Sequence, residues 1–206
     1  MKKIIISLFL FLSISFASEK IYYFIGINGD SSFDITDNDN NEIASVEEDI
    51  PNIPIDIGIR SSTSFFSESD SGWGYFIESG FAIFYIGEQR IEENEYIDYG
   101  TSVKGASIHI TPTLVYQASS FPFIAGIGVG IGALYADGSY IITKKDHPEY
   151  QNRKDIDISK IDMSILINLE FFIIPDELSF GLRSVNVTAG DNYNQRFGGF
   201  FGRFYF

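Results

Sequence analysis

The last eleven residues place the strongest constraint on the fold. Apolar and aromatic residues there alternate with a period of two, which puts them on opposite faces of a β-strand. On the open edge of a soluble sheet, so apolar a strand would recruit other chains. The segment therefore favours a closed sheet in which the last strand pairs with the first. The two faces are Phe200, Gly202, Phe204 and Phe206, and Phe197, Gly199, Phe201, Arg203 and Tyr205.

Seven earlier segments show the same alternation. Each is long enough for a tilted membrane crossing of about 9–11 residues. Long polar connections alternate with turns of a few residues, as in outer-membrane barrels with external loops and short periplasmic turns. The sequence predicts an all-β fold, an eight-stranded antiparallel up-and-down transmembrane β-barrel. The seven segments begin or run at 20–29, 54–65, 73–86, 102–118, 121–136, 161–174 and 178 onward, and the long connections are 30–53, 87–101 and 137–160.

Two alternatives compete with this fold. Residues 121–136 are uncharged and could form a helix with small-xxx-small pairs, but four glycines at period two would weaken a helix badly. A soluble lipocalin-like barrel would place the apolar face inside. Glycines on the polar face and aromatics near the strand ends favour the membrane barrel instead, because the aromatics resemble two interfacial girdles. The girdle residues are Tyr23, Trp73, Tyr75, Tyr116, Phe123, Phe204 and Phe206 at the short-turn end, and Tyr85 and Tyr135 at the other.

The N-terminus reads as a secretory signal. Lys2 and Lys3 precede an apolar run from Ile4 to Phe16, and Ser15-Phe16-Ala17 matches a small-residue cleavage site. We therefore expect residues 1–17 to be removed and residues 18–206 to form the barrel domain. The run is too short to favour a permanent membrane anchor. The mature chain then carries 12 Lys and Arg against 28 Asp and Glu, a net charge of −16. That charge excludes nucleic-acid binding through the phosphate backbone, and the lack of cysteine excludes disulfides and a lipoprotein anchor.

Two local irregularities are expected within the strands. Pro112 cannot donate a ladder hydrogen bond, so a bulge or a lost bond should lie there. Val185 and Val187 fall out of phase with the preceding apolar face, which predicts a bulge or the end of the membrane zone near Ser184.

The whole mature chain resembles the small eight-stranded outer-membrane family of OmpX-like proteins and the OmpA transmembrane domain. Phe204 and Phe206, with Gly202 beside them, match the aromatic-x-aromatic C-terminal assembly signal of that family. The family usually has Gly five residues before the end, where this chain has Phe201. The resemblance implies a monomer in the outer membrane of a Gram-negative cell, inserted by the outer-membrane insertion machinery and surrounded by lipid and lipopolysaccharide.

The charged residues of the strands occupy the alternate positions that are predicted to face the lumen. A barrel of eight strands has room for side chains but not for a wide pore. A mutually neutralising network that fills the lumen is therefore predicted, with Arg203 paired to Glu78 or Glu170; a gate made by exchange of ion pairs is the alternative. The predicted members are Asp56, Arg60, Glu78, His109, Asp162, Glu170, Arg183 and Arg203.

The sequence offers little evidence for catalysis, a metal or a cofactor, and none of the three is predicted. Ser107, His109 and Glu78 share one parity, but a lipid A-modifying enzyme would need its residues on the lipid face. The first long loop places Asp37, Asp39, Asn41 and Glu48 at calcium-loop positions, yet it lacks the central glycine and flanking helices. A solvated acidic loop is therefore favoured, with loose binding of divalent cations as the alternative. We therefore expect a structural or surface-interacting barrel, with a small channel as the alternative and loops 30–53 and 137–160 as candidate binding sites for an extracellular ligand.

Overall fold

The computed structural model describes the chain from Lys20 onward as ten β-strands. The described residues are 20–37, 39, 41–47, 55–67, 71–91, 96–119, 121–174, 177–190 and 192–205. The strands are β1 (Ile21–Thr36), β2 (Glu42–Glu47), β3 (Ile55–Ser61), β4 (Ser64–Phe65), β5 (Gly72–Ile91), β6 (Tyr96–Gln117), β7 (Phe123–Ile141), β8 (Arg153–Ile174), β9 (Leu178–Thr188) and β10 (Tyr193–Phe204).

Eight of these strands form a closed antiparallel ring. The order is β1, β3, β5, β6, β7, β8, β9 and β10, and β10 pairs with β1 to close the sheet. The closing ladder runs from Tyr23 opposite Phe204 to Ile35 opposite Tyr193. Strand β2 pairs with β1, and the two-residue β4 pairs with β5. The predicted eight-stranded up-and-down β-barrel is confirmed.

The long connections contain far more strand than the sequence predicted. Within 30–53, β1 continues to Thr36 and β2 forms a hairpin with it, although this stretch was expected to be a loop. Strands β5 and β6 remain paired up to Ile91 opposite Tyr96. Strands β7 and β8 pair up to Ile141 opposite Arg153, inside the predicted loop 137–160. Polar side chains obscured these extensions, because strands outside the membrane need not carry an apolar outer face.

The bulge that was predicted near Ser184 is absent from the β9–β10 ladder. Strand β9 pairs with β10 without a register shift from Leu178 to Thr188. Val185 and Val187 face inward, as Arg183 does, so the lumen lining changes from charged to apolar while the strand stays regular. At Pro112 the β6–β7 ladder skips from Ile110 opposite Ile131 to Thr113 opposite Gly128, with unchanged register. The lost bond, rather than a bulge, is what the structure shows there.

The outer surface of the ring is apolar along its middle. Val129, Ile131 and Phe200 are 59%, 58% and 69% exposed. At the short-turn end, aromatic pairs border this belt: Tyr23 stacks on Phe204, and Trp73 meets Tyr116 edge-on at 5.3 Å. Such a surface is costly in water and suits the hydrocarbon core of a bilayer, with aromatic rings at its interfaces.

Some predictions about the termini fall beyond the residues described. The predicted signal peptide, residues 1–17, lies outside them, as does Phe206 of the predicted assembly signal. Gly202 and Phe204 lie within β10, where they pair with Ile25 and Tyr23 of β1. No helix in the described part of the chain is long and apolar enough to span a membrane.

Candidate functional site: the charged core of the barrel

Seven ionisable side chains from six strands meet inside the ring, in the half nearer the short turns. Alternation along each strand turns them inward, and each is at most 6% exposed. We call this group the charged core. It consists of Asp56 and Arg60 on β3, Glu78 on β5, His109 on β6, Glu170 on β8, Arg183 on β9 and Arg203 on β10.

Glu170 lies at the centre of one half of the charged core. One of its carboxylate oxygens pairs with Arg60 from the far side of the lumen. The other accepts a hydrogen bond from Nε of Arg203 at 2.6 Å and one from the Ser179 hydroxyl. Arg203 also donates to Ser179 Oγ at 3.0 Å. Of the two partners expected for Arg203, the structure selects Glu170, which thereby joins β3, β8, β9 and β10 across the lumen.

Arg183 organises the other half of the charged core. Its guanidinium lies 2.7 Å from an Asp56 oxygen and 3.1 Å from Glu78 Oε1. The same Glu78 oxygen lies 3.4 Å from His109 Nε2. Asn28 donates its side-chain amide to the second Asp56 oxygen at 3.1 Å. This chain of contacts connects β1, β3, β5, β6 and β9.

Each arginine of the charged core also lies over an aromatic ring. The guanidinium carbon is 4.2 Å from the ring centre of Phe76 for Arg60 and 4.2 Å from that of Phe24 for Arg183. Arg203 lies 4.1 Å above Tyr22. A desolvated cation–π contact stabilises a guanidinium by up to about 2 kcal/mol. The rings therefore partly replace the water that these arginines lose on burial.

Two glycines make room for Phe24. A Cβ on Gly58 would come within 2.4 Å of Phe24 Cζ, and one on Gly80 would come within 3.2 Å of the same atom and 2.5 Å of His109 Cε1. The approaches of 2.4 and 2.5 Å are closer than any real Cβ contact, and the approach of 3.2 Å would force the ring to shift. The glycines that mark the inward face in the sequence thus serve to seat the ring that covers Arg183.

The charged core is formally neutral when His109 is uncharged. Three acids, Asp56, Glu78 and Glu170, balance the three arginines. Unpaired charges in such a place would be strongly unfavourable, so exact pairing is expected. Neutrality leaves no excess charge of either sign to attract ions into the lumen.

Asp162 does not join the charged core, which corrects its predicted membership. It is half-buried on β8 and accepts hydrogen bonds from the backbone N–H groups of Met163 at 2.8 Å and Gly190 at 2.7 Å. The β8–β9 ladder extends only to Ser164 opposite Val187. Asp162 therefore lies beyond the paired part of β9, where its carboxylate anchors the β9–β10 connection. Parity alone could not reveal where the neighbouring strand ends.

An apolar layer fills the other half of the lumen, toward the long connections. The sequence prediction missed this layer, although alternating apolar residues at 33, 35, 44 and 46 were a signal for it. All of its members are buried. We define it as Phe33, Ile35, Ile43, Ala44, Val46, Phe84, Ile86, Val103, Leu134, Ala136, Ile142, Ile156, Ile158, Val185, Val187 and Phe197.

The residues weighed for catalysis and calcium binding have other contacts. The Ser107 hydroxyl donates to Gln195 Oε1 at 3.1 Å, while His109 contacts Glu78. Asp37 Oδ1 accepts the backbone N–H groups of Asp39 and Asn41, each at 2.9 Å, and so closes the β1–β2 hairpin. Within the described residues no cluster of three or more His, Cys, Asp or Glu could hold a metal ion; Glu48 lies outside them.

Among known proteins, this chain is similar only in fold, and at very low sequence identity, to several solved structures. No protein-family model matches the sequence, and no curated protein sequence matches it. Among solved structures, Ail, the attachment invasion locus protein of Yersinia pestis, in complex with the heparin analogue sucrose octasulfate, is 13% identical, with TM-score 0.48 and coverage of 90% of this chain and 99% of Ail. Neisserial surface protein A is 11% identical, with TM-score 0.46 and coverage of 90% and 97%. The outer membrane protease OmpT from Escherichia coli is 7% identical, with TM-score 0.36 and coverage of 91% and 97%.

The architecture of the chain itself identifies its class. The ring is closed and antiparallel, its exposed middle is apolar, and aromatic pairs border that belt. At the level of this belt, the side chains of the charged core lie inside the ring, where they pair with one another. A closed sheet satisfies every ladder hydrogen bond without water, as a lipid environment requires. The chain is a small β-barrel protein of the outer-membrane type.

Proposed function

We propose that this protein is a non-conducting barrel that anchors surface hairpins in the outer membrane. The observation that carries the proposal is a lumen filled along its length: the charged core occupies one half and the apolar layer the other. Ions crossing such an interior would have to break buried ion pairs and then enter an apolar zone, and both steps are costly. A filled lumen favours an anchoring role over the small channel that is the alternative.

The long hairpins support a surface role. Strands β7 and β8 continue about six residues past the outer girdle residue Tyr135, which corresponds to about 20 Å of extended chain. The outer face becomes polar there, where Asp137 of β7 pairs with Lys104 of the neighbouring β6 at 3.5 Å. Residues 142–152 join the two strands and present Lys145, Asp146 and Pro148 to the solvent. A rigid base of paired strands with an exposed tip is suited to contact with an external ligand.

The proposal excludes catalysis at the Ser107, His109 and Glu78 set. All three side chains are buried inside the ring, away from the lipid face. The Ser107 hydroxyl is directed to Gln195 rather than to a base. A lipid substrate would have no path to it.

Planar-bilayer recording tests the filled lumen. The refolded protein, shown to be folded by a heat-dependent shift in gel mobility, is expected to give no discrete current steps. A protein that refolds and still gives reproducible single-channel steps would contradict the proposal and favour the channel.

Surface labelling tests the orientation independently of conduction. The chain has no cysteine, so an introduced cysteine is the only thiol in the protein that a maleimide can label. A membrane-impermeant maleimide should label Lys145→Cys, at the β7–β8 tip, on intact cells. It should label Ser119→Cys, at the short-turn end, only after lysis. The reverse pattern would overturn the proposed display of the long hairpins.

A further inference from the structure

The β1–β2 hairpin is attached unevenly to the rest of the molecule. On one side, β2 pairs with β1 from Ser32 opposite Glu47 to Thr36 opposite Glu42, with a register shift next to Ile35. Among the described residues, β2 has no other ladder partner. On the side away from β1, the apolar side chains of β2 belong to the apolar layer, which also contains Phe84 and Ile86 of β5. Side-chain packing, rather than a hydrogen-bonded ladder, therefore joins β2 to the β5 side of the ring.

The hairpin closes over the apolar layer. Ile43, Ala44 and Val46 are buried in it, although the same strand carries exposed Glu42. Removal of these three side chains would expose the layer at the end of the lumen farthest from the short turns. β2 thus forms a cover over an apolar interior.

A small group of contacts holds the far edge of the hairpin in place. The Ile43 carbonyl accepts hydrogen bonds from the backbone N–H groups of Thr143 at 2.9 Å and Lys144 at 3.2 Å. The Lys144 ammonium lies 3.5 Å from Asp37 Oδ2, and both side chains are partly exposed. We call Asp37, Ile43, Thr143 and Lys144 the clasp. The clasp connects the β1–β2 hairpin to the β7–β8 connection, 100 residues later in the chain.

We propose that β2 is a releasable cover over the apolar layer, held shut by the clasp. A partly exposed ion pair contributes little and is screened by salt, while the two backbone bonds can be exchanged for bonds to water. Release of β2 breaks its short ladder with β1, but it leaves the pairing of β1 with β10 and the whole charged core unchanged. Strand β2 is therefore a local opening unit of lower stability than the ring to which it is attached. This inference concerns motion of the cover and does not depend on the surface role proposed above.

Thiol labelling in the folded protein tests the cover. Ile86→Cys places a thiol in the apolar layer on the β5 side of the hairpin, at a position that is fully buried. Its reaction with a water-soluble maleimide, in detergent at fixed pH, should be slow and limited by opening. Lys144→Ala in this background should speed labelling by about two- to fivefold, and Ile43→Asp should speed it more than tenfold because a carboxylate cannot stay in the layer.

Two controls separate release of the cover from other effects. Lys154→Ala removes a 2.6 Å ion pair between the start of β8 and Glu149 of the same connection, outside the clasp, so it should leave labelling unchanged. Ile124→Cys, buried near the short turns, should stay slow in every variant. The cover is refuted if Lys144→Ala and Lys154→Ala act equally on Ile86→Cys. Faster labelling of Ile124→Cys in parallel with Ile86→Cys would also refute it, since the opening would then be global.

Discussion

Close packing between side chains holds the lumen residues in place as much as their ion pairs do. Phe24 lies against Gly58 on one side and the Arg183 guanidinium on the other, and Arg183 in turn bridges Asp56 and Glu78. A substitution at any of these positions should therefore displace the side chain that it contacts. The sequence revealed which residues face inward, but not that a phenylalanine supports an arginine across the lumen.

Gly58→Ala should destabilise the barrel. Its Cβ would lie 2.4 Å from Phe24 Cζ and 2.2 Å from the Ser79 carbonyl oxygen, so the ring and the backbone must move. Overpacking of this kind costs about 1–3 kcal/mol in the free energy of unfolding, measurable by urea titration in vesicles. Gly202→Ala is the matched control, because a Cβ there meets nothing within 4 Å. An equal loss of stability in both variants would show that the contacts with Phe24 and Ser79 are not its cause.

Glu170→Gln should be more damaging still. The substitution keeps the shape but leaves Arg60 and Arg203 buried without their carboxylate. Loss of one partner from a buried ion pair costs about 3–5 kcal/mol in the free energy of unfolding. Glu149→Gln, which breaks the exposed pair with Lys154, should cost about 1 kcal/mol or less in the same titration. Similar losses at the two sites would mean that Glu170 remains hydrated in the folded barrel.

Among the single elements, the strand extensions and hairpins outside the membrane are the parts that the sequence pattern did not predict. Beyond the membrane belt, β6, β7 and β8 turn Lys104, Asp137 and Asp157 outward, so the apolar alternation that identifies a crossing strand fades there. Strand β2 was lost for a related reason: its acidic neighbours dominate the composition of residues 30–53, while its apolar residues contact partners distant in the chain. Membrane-crossing parts were predictable from local pattern; extramembrane parts were not.

The turn of the β1–β2 hairpin should show a perturbed carboxyl titration. Hydrogen bonds from Asn41, first of all its backbone N–H, hold the pKa of the Asp37 carboxyl below its ordinary value of 3.8. A lowered folded-state pKa contributes stability above pH 3.8 that is lost as the pH falls through the folded value. NMR titration of the Asp37 carboxyl should confirm the low pKa.

Asn41→Ala should raise the pKa of Asp37 part of the way toward 3.8, because the side-chain amide bonds disappear while the backbone bond remains. Asp39→Ala is the control. It retains the backbone N–H that donates to Asp37, so the titration should stay in place. A pKa of Asp37 that does not respond to Asn41→Ala would show that the turn geometry alone sets it.

At the scale of the whole molecule, the barrel has an inside-out arrangement in its membrane part and a conventional one beyond it. Around the charged core, apolar residues face outward and charges inward. Around the apolar layer, the lumen holds a hydrophobic core while Lys104, Asp155 and Asp157 face outward. The change between the two arrangements follows the change of solvent from lipid to water.

Trp73, the single tryptophan, reports where the membrane ends. It lies in the short-turn girdle, 56% exposed beside Tyr116. In vesicles, lipids brominated near the headgroup should quench its fluorescence more than lipids brominated deep in the acyl chain. The order should reverse in Trp73→Phe/Val129→Trp, because Val129 lies in the middle of the apolar belt. Equal quenching profiles for the two positions would contradict the assigned belt.

The eight ring strands, their closure and seven of the eight predicted lumen charges could be read from the amino-acid pattern, because a period of two and alternating loop lengths are local properties. Tertiary structure decided the rest. It paired Arg203 with Glu170, placed Asp162 beyond the end of β9 and turned part of a presumed loop into a cover over the apolar layer. Each of these depends on strand stagger and on contacts between residues far apart in the chain, which parity does not encode.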